Sequence, residues 1–327
     1  GRIYTPPTAD HRLISHRELH LMAPLPLRIA LYGDNGHQLQ NAVLDEQRAR
    51  IVVVAGVRDE RLPPHLRDPD TVERCETLEQ LAERPDIDVV SLCSPRRCDQ
   101  AGDAIACLEA GKHVYAEKPA ALNEADLDRI LAAADRHGRR FREMAGTAFE
   151  QPYLEARRLV AEDAVGDVVQ VLAQKSYPLG ARRPQDEAVD GGLLTQVGVH
   201  ALRMIEHVAG LRVESVNAIE TQRGNPADGG LRIACSMHMH AEGDRLATAI
   251  CNYLNPRTFP RHGNEMLRIF GTRGFLEITD GGQHSRLLTA DADAGSLRPR
   301  DTARPYHELF FDELLGIADM PLSREAE

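Results

Sequence analysis

At 327 residues the chain exceeds the roughly 250 to 300 residues at which a single hydrophobic core stops growing, so two domains are expected. A hydrophobic fraction of 42% with 27% charged residues belongs to a globular chain and excludes a disordered or fibrous one. Asp and Glu outnumber Lys and Arg by 50 to 39, a net charge of -11, which argues against the positive footprint of a nucleic-acid binder. No apolar run nears the ~20 residues of a membrane-spanning helix, and no continuous apolar leader segment opens the chain. The expectation is a soluble cytoplasmic protein without nucleic-acid or membrane partners. Its six cysteines contain no Cys-x-x-Cys pair and are expected to be reduced core residues.

Residues 1–24 are polar and aperiodic and are expected to form an N-terminal extension. From residue 25 the chain alternates. The segments 27–32, 51–55, 87–93 and 112–116 are apolar runs, as strands of a parallel sheet covered on both faces must be. Between them lie helical stretches. One has Asp99 as its cap, Ile105 and Leu108 on one face and Gly111 as its stop. Another runs from Asn123 to Gly138 with Leu127, Ile130, Leu131 and Ala134 on one stripe. This alternation predicts an α/β Rossmann dinucleotide-binding domain over 25–146. A helix opened by Pro152 then leads into strand-like segments from 167 to 279. The second domain, 147–327, is expected to be α+β, with an open, largely antiparallel sheet that binds substrate and assembles the oligomer. One helix, 194–210, should interrupt it, with Val197, Ala201, Met204, Ile205 and Val208 inward and Gln196, His200, Arg203 and His207 on the adjacent polar stripe. Pro321 is expected to open a final helix.

After the first strand comes Gly33-Asp34-Asn35-Gly36-His37, where a dinucleotide fold places the turn that presents backbone N–H groups to a pyrophosphate at a helix N-terminus. Only Gly33 fits G-x-G-x-x-G; Asn35, which tolerates left-handed backbone, and Gly36 are the substitutes. The second strand ends in Val57-Arg58-Asp59. Val57 cannot accept a ribose hydrogen bond, and Arg58 suits a 2'-phosphate, which favours NADP over NAD. His238-Met239-His240 sets two imidazoles on one strand face without a companion ligand cluster, so no metal is expected.

The segment Gly111-Lys-His-Val-Tyr-Ala-Glu117-Lys118-Pro119 resembles the strand and Glu-Lys-Pro turn of the glucose-fructose oxidoreductase / inositol dehydrogenase / MocA family. Ser94-Pro95, Gly191-Gly192-Leu193-Leu194-Thr195-Gln196-Val197-Gly198-Val199-His200 and Gly271-Thr272-Arg273-Gly274 resemble further family motifs in the same order. The resemblance implies an NAD(P)-dependent oxidoreductase that moves a hydride between nicotinamide and a sugar, inositol or related hydroxy compound. It implies Lys118 and His200 as the proton-handling pair, because alcohol oxidation needs a base near the reacting carbon. Ser94, Pro95, Glu117, Lys118 and Pro119 then join Gly33, Asn35, Gly36 and Arg58 at the cofactor. Gln196, Tyr177, Arg183 and Asp190 are implied at the substrate, a small hydroxylated molecule, in a homodimer or homotetramer.

The chain also differs from the family pattern. Gln196 and Arg203 stand where the family has Asp, Arg96 and Asp99 where it favours Asn and His, and Phe149-Glu150-Gln151-Pro152 replaces its Arg-Phe-x-Pro. Gln196 is expected to hold a substrate hydroxyl or orient His200, and Asp190 or Glu150 to supply the missing carboxylate. The alternative is a relative that binds a nucleotide or sugar as a regulatory or assembly protein without turnover.

Overall fold

The computed structural model describes residues 26–43, 45, 47–324, 326 and 327; the expected extension over 1–24 lies outside them. Six strands, β1 (Leu27–Tyr32), β2 (Ala49–Ala55), β3 (Glu73–Cys75), β4 (Val89–Leu92), β5 (His113–Ala116) and β6 (Phe141–Glu143), form a sheet in the order β3-β2-β1-β4-β5-β6. Every neighbouring pair is parallel. All residues of β4 and β5 are buried, the polar Ser91 and His113 among them, as strands of a sheet covered on both faces must be. The order reverses between β1 and β4, and this switch point is where open α/β sheets bind ligands.

Helices α1 (Leu78–Ala82), α2 (Gln100–Glu109) and α3 (Glu124–Arg136) cover the sheet. Asn123 caps α3 as expected, accepting from the N–H of Asp126. Its buried stripe is Ile130, Ala133 and Ala134, while Leu127 is exposed and Leu131 half-buried, so the helix is rotated from the expected face. Asp99 makes no side-chain cap, because a 3-10 turn over Arg97–Asp99 already holds it in helical backbone. A larger departure follows β1. Where a Rossmann domain carries its first helix, the described residues form a single 3-10 turn, Leu39–Asn41.

In the second half α4 (Tyr153–Ala161) starts after Pro152 as expected. The sheet comprises β7 (Val168–Ser176), β8 (Val213–Thr221), β9 (Ala234–Ala241), β10 (Arg245–Asn252), β11 (Asn264–Gly271), β12 (Gly274–Thr279), β13 (His284–Thr289) and β14 (Asp293–Gly295), in the order β14-β13-β12-β11-β7-β10-β9-β8. It is antiparallel except where β7 pairs with β10. The single helix expected over 194–210 is a broken series. After the short α5 (Glu187–Asp190) come α6 (Leu193–Gln196), α7 (Gly198–Arg203) and a π turn over Met204–Val208. Its inward face is as expected, with Val197, Ala201, Met204, Ile205 and Val208 all buried.

A last helix, α8 (Tyr306–Leu314), returns to the first sheet and packs Phe310 on Tyr115, ring centroids 5.7 Å apart. Burying a side chain such as Phe310 contributes roughly 1.5–3 kcal/mol. Among the described residues Pro321 opens no helix. Instead Glu327 receives Arg142 of β6 at 2.9 Å and lies 3.9 Å from Arg203. Four cysteines are buried, but Cys98 is exposed and Cys75 half-buried, which corrects the expectation for those two.

His113 shows how deeply the β5 segment is set. Its buried Nδ1 accepts the N–H of Arg140 at 2.9 Å, and burial, aided by the charges of Arg139 and Arg140, lowers its pKa to about 3. A depressed histidine pKa gives stability that is complete above the unfolded value of ~6.5 and is lost as pH falls toward the folded value. Thermal melts should therefore decline from about pH 6.5 downward, and His113→Asn should flatten that decline. An unchanged slope in the variant would contradict this assignment.

Candidate functional site

The site lies at the C-terminal ends of β1, β4 and β5. Beyond β1 the chain drops across the sheet edge, and Gly33 enters the left-handed region at φ +71°; a Cβ there would sit 2.0 Å from the Cys93 carbonyl oxygen. At Gly36, φ +144°, a Cβ would meet the Glu117 carboxylate at 2.3 Å. Both glycines are demanded by close approach, as at a dinucleotide turn. Asn35 donates from Nδ2 to the carbonyls of Pro95 at 3.1 Å and Val189 at 2.9 Å, joining the turn to the second half of the chain. Arg58 is exposed and reaches Asp34, Nε to Oδ2 2.6 Å, while Asp59 pairs with Arg74 at 2.8 Å. Ser94 turns its hydroxyl away toward Asp103, donating at 2.6 Å.

The expected helix N-terminus for a pyrophosphate is absent among the described residues, since only the 3-10 turn follows this loop. The glycine turn was legible in the sequence; the loss of its helix was not.

Glu117 has no solvent exposure. It accepts from the backbone N–H and the Nδ1 of His37, the latter at 2.9 Å, and from the N–H of Lys118 at 2.9 Å. Burial alone would raise its pKa, but the Lys118 charge and the His37 donors outweigh that and hold it at about 2. Lys118 is itself buried, its Nζ 3.7 Å from Glu117 Oε1, with a cis peptide to Pro119. Burial lowers its pKa; Glu117 opposes this, and the charges of Arg183, Arg97 and Lys175 add to it. The ammonium's carboxylate is therefore Glu117. Asp190, the expected supplier, is held 3.0 Å from Arg183 instead, and Glu150 makes no ion pair among the described residues.

From the second half, His200 is half-buried, its Nδ1 2.9 Å from the Thr147 hydroxyl. Burial, then the charges of Lys175 and Lys118, push its pKa well below the usual imidazole range, so it is neutral. Thr147, and not Gln196, orients it. Gln196 donates to the Asp190 carbonyl at 3.1 Å and accepts from Tyr253 at 3.5 Å, so its amide fixes the Gly191 turn. Tyr177 stands edge-on to His200, centroids 6.4 Å apart, stacks on His262 at 5.0 Å, and carries Lys175 Nζ 4.9 Å above its ring. Lys175 pairs with Glu265, and Arg183 lies 4.1 Å over Tyr253. Arg203, placed on the polar stripe from sequence, is buried against Glu143 at 3.1 Å, away from His200.

Five residues of this cluster escaped the sequence analysis: Arg97, Thr147, Lys175, His262 and Glu265. Lys175 had a signal, a charged residue in line with Val171 and Ala173 on the inward side of its strand. Among the described residues no group of three or more His, Cys, Asp or Glu is placed to hold a metal. His238 and His240 face outward, toward Thr248 and toward Glu214 and Asp244 respectively. No helix of the described residues is long and apolar enough to cross a membrane.

A parallel sheet with glycine turn and buried Glu-Lys-Pro at its switch point, joined to a second open sheet, defines the class of two-domain Rossmann oxidoreductases. Two family models match: the NAD-binding Rossmann fold of the oxidoreductase family over residues 29–144, and the GFO/IDH/MocA C-terminal domain over 153–277. The chain belongs to the Gfo/Idh/MocA family. Among curated relatives, trans-1,2-dihydrobenzene-1,2-diol dehydrogenase of Xenopus laevis is 30% identical over 61% of this chain and 58% of its own length. Inositol 2-dehydrogenase of Gluconacetobacter diazotrophicus is 32% identical over 40% of this chain and 39% of its own. The matches thus span less than two thirds of these relatives. A solved structure from Thermotoga maritima, assigned as an oxidoreductase, superposes with a TM-score of 0.81 at 26% identity, covering 92% of this chain and 93% of that one. The aldose-aldose oxidoreductase of Caulobacter crescentus shares the fold, with a TM-score of 0.76 at 20% identity over 92% of each chain.

Gly33→Ala should cost about 1–3 kcal/mol, because the Cβ meets a backbone carbonyl and the left-handed conformation is strained. Denaturant unfolding measures this directly; an unchanged midpoint would mean the turn is not held as described.

Proposed function

We propose that the protein transfers a hydride between NAD or NADP and a small hydroxylated molecule, a sugar, inositol or ring diol, with Lys118 and His200 handling the proton. The observation that carries this is Lys118: a buried ammonium at the end of a central parallel strand, paired to a carboxylate beneath the glycine turn, with its charge felt by His200. Names of relatives support the substrate class, since they include dehydrogenases of a dihydrodiol and of inositol. The two domains are proposed to divide at 146/147, with Gly33, Asn35, Gly36, Arg58, Ser94, Pro95, Glu117 and Pro119 on the cofactor side and Gln196, Tyr177, Arg183 and Asp190 on the substrate side.

Nicotinamide, when bound, supplies the hydride acceptor or donor. In the oxidative direction Lys118 would first release its ammonium proton, and the resulting amine would take the proton of the substrate hydroxyl as hydride leaves the carbinol carbon. Burial and neighbouring cations favour that neutral amine, while Glu117 receives the ammonium once it forms. His200, neutral and fixed by Thr147 through Nδ1, holds its other ring nitrogen for the same hydroxyl or its neighbour. Tyr177, Lys175 and Arg183 supply further donors for a polyhydroxylated ring.

Arg58 is assigned to the adenosine end and an NADP preference, although its link to Asp34 sets a carboxylate beside it. A second reading, ligand binding without turnover, is favoured by the single 3-10 turn that replaces the first helix. Calorimetric titration with NADH and NADPH separates them, since the chain has no tryptophan to report binding. A saturable response, tighter for NADPH, is expected, with turnover lost by roughly 100-fold or more in Lys118→Ala while cofactor affinity persists. No response to either cofactor at millimolar concentration would sink the oxidoreductase proposal; binding without turnover of any diol or sugar would favour the second.

A homo-oligomer is proposed through the outer face of the second sheet. Strand register sets Ile219, Ile250 and Met266 in one row across it and Leu246, Phe270, Phe275 and Leu288 in another. Ile219, Leu246 and Ile250 are exposed, and such an apolar face is costly in water. Light scattering should show a dimer or tetramer that Ile250→Lys dissociates; a monomeric parent protein would rule it out. A cytoplasmic location is proposed on the thiol state of all six cysteines.

A further inference from the structure

The 3-10 turn after β4 buries a cation that no carboxylate of the described residues pairs directly, Glu117, Asp190 and Glu143 acting on it only from a distance. Arg97 is 1% exposed and is among the largest fully buried side chains. Its Nη1 donates to Gln100 Oε1, its Nη2 to the Asn35 carbonyl in the glycine turn, and its Nε has no acceptor. The cations around it are each matched: Lys118 by Glu117, Lys175 by Glu265, Arg183 by Asp190. Arg97 alone of this group has no carboxylate within ion-pair distance among the described residues. A buried guanidinium without a directly paired carboxylate costs stability, and desolvation is the largest influence on Arg97.

Its placement is also specific. Gln100 donates to the carbonyls of Glu117 and Pro119 and is thereby fixed, presenting Oε1 to the guanidinium. A Cβ at Gly191 would meet Arg97 Cγ at 3.1 Å and Pro119 Cδ at 3.0 Å, so the side chain threads between the Glu-Lys-Pro turn and the second domain. It ends at the glycine turn, where a Rossmann fold holds its phosphates and where the described residues form no helix that would help hold them.

We propose that Arg97 anchors the pyrophosphate of the dinucleotide, its charge and planar fork replacing the missing helix N-terminus. This rests on the oxidoreductase proposal above. Guanidinium and phosphate oxygens form paired, charge-assisted hydrogen bonds, and the orphan Nε together with one Nη presents the necessary edge. The Asn35 carbonyl yields Nη2 when the phosphates arrive.

The test compares wild-type protein, Arg97→Met and Arg97→Lys by calorimetric titration with NADH and NADPH, with thermal melts of each ligand-free protein. The proposal expects Arg97→Met to melt at or above the wild type, because it removes an unpaired buried charge. It expects affinity for the wild type's preferred cofactor to fall by roughly tenfold or more, with Arg97→Lys intermediate. Affinity in Arg97→Met within about twofold of wild type would overturn it, as would a loss in Arg97→Lys equal to that in Arg97→Met, which would assign the effect to shape. A ligand-free Arg97→Met protein melting well below wild type would make Arg97 a structural residue and also overturn it. Wild-type protein that binds neither cofactor would instead defeat the oxidoreductase proposal itself, and this one with it.

Discussion

A carboxylate sealed from water must be satisfied from within, and Glu117 organises the site because its partners come from separate parts of the chain. His37 approaches from the glycine turn with two donors, and Lys118 approaches from the strand end with its N–H and its ammonium. Gly36 has no side chain because the carboxylate already fills that space. Removing the negative charge would leave Lys118 as an uncompensated cation between Arg97, Lys175 and Arg183. The ionisation of Glu117, the position of the turn and the tuning of Lys118 are therefore one electrostatic arrangement, and none is adjustable alone.

The parts of the fold legible in the sequence are those whose burial is complete. The runs forming β1, β2, β4 and β5 sit in the interior of a covered sheet, where most positions are apolar and Arg28, Arg50, Ser91 and His113 are the polar ones. The edge strands β3 and β6 are three residues each and carry Glu, Arg and Cys or Phe, Arg and Glu, so neither gives a periodic signal. In α8 the apolar face is interrupted by Asp312, which is buried only because Arg48 and Arg304 reach it from elsewhere. The break between α6 and α7 falls at Val197-Gly198, a β-branched residue followed by glycine, both weak helix formers, whereas Met204 at the π turn favours a helix and gives no signal.

At the site, Lys118 and Glu117 were found through a motif, and His200 through its spacing from the double glycine. Arg97 was passed over because an arginine after Ser-Pro-Arg in a loop looks solvated, and only the tertiary packing of Pro119 and Gly191 buries it. Thr147 was invisible for a similar reason: a threonine becomes the orienter of a histidine 53 residues away only when α7 lies beside it. The hydrogen bond of the Gln196 amide to the Asp190 carbonyl was not foreseen, because the sequence does not display that carbonyl.

The Asn35 side chain has a further consequence. One Nδ2 group donates to Pro95 on its own side and to Val189 across the cleft. A single such hydrogen bond is worth ~1 kcal/mol, a factor of about five in holding Val189 against the turn. That is a latch and not a lock. A ligand that enters beside the glycine turn can displace it for little more than the worth of one hydrogen bond, so the link from the turn to Val189 is one an occupant can break.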